Sequence, residues 1–410
     1  MKIIHVTSGM DPKAGGVSQA IRTMIKGLSN LGVNNEVVCM GNMPEQGPAE
    51  ADNFTIHYVG PGKTGWQFNT KMLEWLKLNT TAYDIVLVHG LWLYHSYAVY
   101  RAFKNQGNET PKIFVMPHGM LDPWFQKAKG RKIKAIRNWI FWKLIENRIV
   151  HKADGLLFTC ETEKLLARKT FSPYHPKSEK VVGLGVDVPP VATAKMEQAF
   201  LEKCPLGNRD KFLLFIGRIH EKKGVELLVR SYLALKSEGY GLPQLVIAGP
   251  GLETPYGQHI KKLAAKDKAI FFPGMLTGNA KWGAFYGSEA FILPSHQENF
   301  GIAVVEALAC NKPVLITDQV NIWREIKSNH GGMIENDTLE GVKRLLKRWA
   351  KLSPVEKKNM SEKAGKVYTE YFSTSQAAIK LFEAVFQQHT PDNEYITPSP
   401  QKIKNIRLEV

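Results

Sequence analysis

Short runs that are apolar at every position, each followed by a longer stretch of helical periodicity, recur along the chain and limit its fold more than any other feature. Ile85-Val86-Leu87-Val88 and Phe212-Leu213-Leu214-Phe215-Ile216 are the clearest of them. A strand without polar side chains has both faces covered, as a parallel strand does between two helix layers. Strand candidates fall at 2–7, 35–40, 54–59, 83–89, 112–117, 154–159 and 179–183, then at 211–216, 244–248, 269–272, 289–293 and 312–317. So regular an alternation reads as α/β rather than α+β. The series restarts near residue 211, after the polar, proline-containing stretch 187–210. At 410 residues the chain has room for about two domains of ordinary size. The expected organisation is a Rossmann-like domain at 1–190, a second at 191–373, a helix at 374–389 and a polar tail at 390–410. Ala377, Leu381, Phe382, Val385 and Phe386 recur at helical spacing, so that helix has an apolar face to pack back on the first domain.

Composition narrows the class. The chain is 44% hydrophobic and 22% charged, ordinary for a globular protein. The apolar run that ends before Gly9 is too short for a signal-peptide core, and no run approaches the roughly 18 residues of a membrane span. A cytoplasmic location is expected. Cys39, Cys160, Cys204 and Cys310 form no CxxC pair, which suits buried thiols in a reducing compartment better than disulfides or zinc.

The net charge is +16, and its distribution is uneven. Residues 127–152 hold nine Lys/Arg against the single acid Glu146, within a half (1–190) that carries 24 basic and 15 acidic residues. The bases are interleaved with Ile133, Ile136, Trp139, Ile140, Phe141, Trp142, Leu144, Ile145 and Ile149. Such a segment suits a helix on an anionic membrane surface, or else a domain helix with a core side and solvated bases. No nucleic-acid-binding motif accompanies the charge, so a nucleic-acid partner is not expected.

In open α/β sheets ligands sit beyond the carboxyl ends of the strands, so residues just after strands carry the functional information. After the first candidate come Gly9 and then Gly15-Gly16 ahead of a helix, either a phosphate approach or a plain loop. The spacing is not GxGxxG, which disfavours a dinucleotide dehydrogenase. After 211–216 come Gly217-Arg218 and Lys222-Lys223-Gly224, where two cations and a helix start can converge on a diphosphate or stay solvated. Pro294 to Cys310 gives the sharpest signal: a loop bearing Glu298, a helix from about Gly301, and Glu306 alone as a charge on an otherwise apolar helix. A carboxylate there needs a partner, either a ligand's vicinal hydroxyls or a core ion pair. His89 and His118 each follow a strand and precede a glycine, a position that also suits a satisfied loop residue.

Glu298-Asn299-Phe300-Gly301-x4-Glu306-Ala307, with Gly217-Arg218-x4-Lys223-Gly224 upstream, resembles retaining GT-B glycosyltransferases of family 4. Gly15-Gly16, Pro117-His118-Gly119, Gly249-Pro250-Gly251, Phe272-Pro273-Gly274 and Lys312-Pro313 agree, and the resemblance runs to about residue 390. It departs at Cys310-Asn311, where the family usually has glycine in second place. The resemblance implies two Rossmann-like domains whose parallel sheets face each other across a cleft, with a nucleotide sugar, UDP- or GDP-linked, as donor. It implies that Gly15 and Gly16 lie against the diphosphate, that Arg218 and Lys223 neutralise it, and that Glu306 binds the ribose. Glu298 with the backbone of Asn299, Phe300 and Gly301 would hold the transferred sugar, His118 would lie beside it, and Gly274, Met275 and Leu276 would border the base. There is no Asp-x-Asp in the chain, so no metal is expected. The expected acceptor is a sugar or a lipid-linked sugar, in bacterial polysaccharide or glycolipid synthesis; the basic segment 127–152 adds the expectation of peripheral attachment to the inner membrane face, where a lipid-linked acceptor would reside. A non-catalytic nucleotide-sugar-binding protein and a GT-B epimerase or hydrolase are the competing readings.

Overall fold

The computed structural model describes residues 1–11, 16–43, 52–105, 111–127, 132–206 and 211–386. Gly15, Lys129, Arg131 and the expected tail at 390–410 lie outside them. The chain divides into two compact units, one of 1–158, 164–185 and the segment from Ala377 onward, the other of Thr159–Glu163 and Val186–Gln376.

The first unit holds β1 (Lys2–Thr7), β2 (Asn34–Cys39), β3 (Thr55–Tyr58), β4 (Ile85–His89), β5 (Lys112–Met116), β6 (Gly155–Phe158) and β7 (Glu179–Val181). They form one sheet in the order β3-β2-β1-β4-β5-β6-β7, parallel at every pairing. The sheet turns both ways from β1 and β4, the switch point of a doubly wound fold. Its two faces feed separate cores: Ile4, Val6, Val86 and Val88 pack on one side, Ile3, Ile85 and Leu87 on the other. That two-sided burial is why these strands are apolar throughout, each such side chain contributing roughly 1.5–3 kcal/mol. The helix Thr374–Phe386 places Leu381, Ala384 and Val385 in the second of these cores, and the Lys180 ammonium donates to the Ala384 carbonyl at 2.9 Å.

The second unit holds β8 (Phe212–Ile216), β9 (Gln244–Ala248), β10 (Ile270–Phe271), β11 (Ala290–Leu293), β12 (Val314–Thr317) and β13 (Gly332–Glu335), ordered β10-β9-β8-β11-β12-β13 and again all parallel. Its switch point falls between β8 and β11. Sequence patterning locates every strand but β13. Gly331-Gly332-Met333-Ile334-Glu335 has no sustained apolar run, and its pairing with β12 makes it a strand. Asn311 adopts φ +56°, so the turn that departs from the family's glycine keeps a left-handed residue, which asparagine tolerates.

Candidate active site

In the second unit the turn after β8 and the turn after β11 stand side by side because their strands are neighbours at the switch point. Beyond β8 a short 3-10 turn, Glu221–Lys223, is opened by His220, whose Nδ1 accepts from the Lys222 amide at 3.1 Å. Gly224 (φ +67°) then starts the helix Val225–Ser237. Only glycine fits there: a Cβ on Gly224 would lie 1.8 Å from the Pro294 carbonyl oxygen. The two turns are laced together, the Ser295 hydroxyl and the His296 amide both donating to the Lys222 carbonyl at 2.9 Å. On its far side the β11 turn is tied to the turn after β12, through Glu298 N–H to Gln319 and Asn321 N–H to Glu298, each 2.9 Å.

This lacing brings Lys223 and Glu298, 75 residues apart in sequence, into a direct ion pair, both side chains about four-fifths buried. Arg218, on the same turn as Lys223, is exposed and has no side-chain partner among the described residues. Gly301 (φ +77°) opens the helix Ile302–Ala309, and neither this helix nor Val225–Ser237 has a side-chain cap. Elsewhere in the unit Thr254, Thr338 and Ser353 cap their helices, while Ala194–Lys203, Gly278–Gly287 and Trp323–Ser328 also start without a side-chain cap. Two helix starts with glycine caps therefore flank the Lys223–Glu298 pair; the Glu226 N–H of the first is taken by the Tyr256 hydroxyl at 3.2 Å, and first-turn N–H groups left without a partner favour an anion.

Glu306 is part-buried and pairs with Lys281 at 2.8 Å, a partner contributed by the helix Gly278–Gly287 that nothing in the local sequence marks. Asn299 accepts from the Asn321 side chain at 3.4 Å. Phe300 is a core residue, edge-on to Phe372 with ring centres 5.7 Å apart, so only its backbone is available to a ligand. Gly274 (φ +75°) accepts from the Gly249 amide at 2.8 Å. Of the two residues after it, Met275 is 62% exposed and Leu276 is buried.

In the first unit Gly16 begins the helix Gly16–Asn30, and Gly15 lies outside the described residues. His118 follows β5 with φ +53° and is hydrogen-bonded to His89 at 3.0 Å. Burial depresses its imidazole to about 4, so it is neutral at physiological pH. All four cysteines are free and buried, and burial raises the thiols of Cys39 and Cys310 to about 12. No group of three or more His, Cys, Asp or Glu among the described residues is placed to hold a metal ion.

The basic segment divides in two. Trp142, Ile149 and Val150 are buried, with Trp142 stacked on Phe171 at 4.9 Å, so these residues are core rather than lipid-facing. Ile133, Ile136, Trp139, Ile140 and Leu144 are exposed. No helix among the described residues is long and apolar enough to cross a membrane.

Two doubly wound parallel-sheet units in one chain, of seven and six strands, define the GT-B class of fold. Solved structures agree: the sucrose-phosphate synthase of Thermosynechococcus elongatus matches with a TM-score of 0.71 at 16% identity, covering 94% of this chain and 98% of that one. The HepE protein of Anabaena, in complex with UDP and glucose, matches with a TM-score of 0.70 at 11% identity over 94% and 99% of the two chains. Residues 197–367 match the family model described as "Glycosyl transferases group 1", and residues 15–183 that of the "Glycosyl transferase 4-like domain". The chain belongs to this family of glycosyltransferases. A D-inositol 3-phosphate glycosyltransferase of Salinispora tropica is 30% identical over 188 residues, which is 42% of this chain and 38% of the relative. The chain thus spans well under half the length of this curated relative.

Proposed function

We propose that the protein is a retaining glycosyltransferase that moves a sugar from a UDP- or GDP-linked donor to a hydroxyl acceptor. The observation that carries this reading is the Lys223–Glu298 ion pair set between two glycine-capped helix starts at the switch point. A pyrophosphate there is neutralised by Arg218 and Lys223 and accepts from first-turn N–H groups. Glu298, already held by Lys223, accepts from hydroxyls of the transferred sugar. Glu306 accepts from the ribose hydroxyls, with Lys281 balancing its charge. The family resemblance adds Gly16 beside the diphosphate and His118 beside the sugar.

Chemistry at such a site is chiefly electrostatic. The acceptor attacks the anomeric carbon on the face from which the nucleotide departs, and the leaving phosphate takes the acceptor's proton. Preorganised cations and N–H dipoles stabilise the negative charge as it moves onto the diphosphate. No side-chain base is needed for that path.

The exposed strip Ile133, Ile136 and Ile140, at i, i+3 and i+7 and flanked by exposed Lys134, Arg137 and Lys143, supports attachment to an anionic inner-leaflet surface, where a lipid-linked acceptor would reside. Thermal denaturation against a panel of UDP- and GDP-sugars tests the donor assignment. A true donor at 100-fold over its Kd stabilises by about 2.7 kcal/mol. Proton NMR of the first-formed product with that donor then reads the anomer. Absence of stabilisation by every sugar nucleotide refutes the donor reading, and an inverted anomer refutes retention.

A further inference from the structure

Three buried or part-buried histidines of the first unit form a single hydrogen-bonded line that ends on His118. His5 lies in β1, His89 closes β4 and His118 follows β5. The line starts from Asn35 in β2. The sheet register explains how residues so distant in sequence meet. Asn35 pairs with Ile3, two residues before His5; His5 pairs with Leu87, two before His89; His89 pairs with Met116, two before His118. Each step crosses one strand and climbs two residues, so parity keeps Asn35, His5 and His89 on one face, and the left-handed turn after β5 brings His118 to the carboxyl-edge end of the line.

The line has a direction. The Asn35 amide nitrogen donates to the Val33 carbonyl at 2.8 Å, which fixes its Oδ1 as an acceptor. Turning the amide over would set Oδ1 against that carbonyl, acceptor to acceptor. His5 Nε2, 3.1 Å from Asn35 Oδ1, therefore carries a proton. Burial holds His5 at about 4 and His89 well below its ordinary value, so each ring bears one proton only. His5 Nδ1 is then bare and accepts from His89 Nε2 at 2.9 Å. His89 Nδ1 is bare in turn and accepts from His118 Nε2 at 3.0 Å. One proton arrangement satisfies every link, and it leaves His118 Nδ1 as a lone-pair acceptor with no protein partner among the described residues.

We infer that Asn35, His5 and His89 are positioning residues that lock His118 in the Nε2–H tautomer, so that its Nδ1 accepts a hydrogen bond from a hydroxyl of the donor sugar. This inference rests on the assignment of His118 to the sugar, whereas the relay itself stands on geometry within one unit. Within the run Lys2-Ile3-Ile4-His5-Val6-Thr7, His5 is a polar residue among the apolar Ile3, Ile4 and Val6, and with His89 and His118 at their strand ends it is what the sequence shows of the relay.

The test compares His5→Gln with His5→Leu. Glutamine can donate to Asn35 and accept from His89, preserving the direction; leucine leaves His89 Nε2 without an acceptor. Nitrogen NMR of 15N-histidine-labelled protein reads the His118 tautomer, and initial rates with a saturating sugar nucleotide read kcat. Wild type and His5→Gln are expected to show His118 as Nε2–H with kcat within a few-fold of each other. In His5→Leu the His118 proton is expected to shift toward Nδ1 and kcat to fall by about 10-fold, the size of one lost hydrogen bond. Affinity for the free nucleotide, which does not involve the sugar, should not change. Asn35→Ala should give the same loss of tautomer from the other end of the line and serves if His5→Leu does not fold. A wild-type His118 protonated at Nδ1, or a shifted tautomer with undiminished kcat, overturns the inference. Failure of wild type to use any sugar nucleotide, with the tautomer as described, refutes the functional assignment and leaves the relay standing.

Discussion

Gly224→Ala probes the contact that sets the spacing of the site. At φ +67° an alanine incurs the left-handed cost of about 1–2 kcal/mol, and its Cβ would sit 1.8 Å from the Pro294 carbonyl oxygen. Real Cβ contacts do not come closer than 3.0 Å, so the β8 and β11 turns must part by more than 1 Å. Overpacking of this kind adds roughly 1–3 kcal/mol, for a total of about 2–5 kcal/mol. Gly239 is the control: it has φ +85°, is exposed, and a Cβ there meets nothing within 4 Å. Gly239→Ala should therefore show only the backbone cost of about 1–2 kcal/mol. Because Lys223 is adjacent to Gly224 and Glu298 lies in the turn that moves, parting them by about 1 Å should also lower turnover on the order of 100-fold. Urea unfolding followed by fluorescence gives the stability difference between the variants, and initial-rate donor consumption gives the activity difference. Equal destabilisation by the two substitutions, together with normal turnover in Gly224→Ala, would refute the close-approach argument.

Arg218→Ala should cost about 2.7–4 kcal/mol of transition-state stabilisation, roughly 10²–10³ in kcat, with little change in unfolding midpoint because the side chain is exposed; near-normal kcat would remove it from the diphosphate. Calorimetric titration should show Glu298→Ala retaining nucleotide affinity while losing transfer, and Glu306→Ala weakening the nucleotide; the reverse pattern would exchange their roles. Burial raises the Glu146 carboxyl to about 8 from 4.5, where Ser96 donates to it at 3.1 Å. The folded state thus keeps a proton that the unfolded chain releases, so stability falls as pH rises from 4.5 to about 8 and is level above, by at most about 1.4 kcal/mol per pH unit. Glu146→Gln should abolish that fall while folding normally, as urea unfolding at pH 5 and pH 8 would show; an unchanged slope would count against a protonated Glu146. Replacing exposed Lys134, Arg137 and Lys143 by glutamine should weaken sedimentation with anionic liposomes by about 1 kcal/mol per residue at low salt, and unchanged binding would end the membrane reading.

The sequence alone determined the α/β class, because side chains buried on both faces leave continuous apolar runs such as Phe212–Ile216 that need no tertiary information to be recognised. It also gave the family, since charged residues and glycines just after strands sit where a switch point gathers ligands. β13 escaped because pairing with β12, not local preference, makes residues 332–335 a strand. Only the tertiary structure decided which charges meet. Lys223 with Glu298 and Glu306 with Lys281 are brought together by neighbouring strands and a helix far away in sequence. It also decided that Trp142 and Ile149 are core while Ile133 and Ile136 are exposed, a division that 3.6-residue periodicity blurs where the helix widens to a π turn at Trp142–Glu146. The Asn35–His5–His89–His118 line depends on register across four strands. Register is a property of paired backbones, and no single segment of the chain carries it.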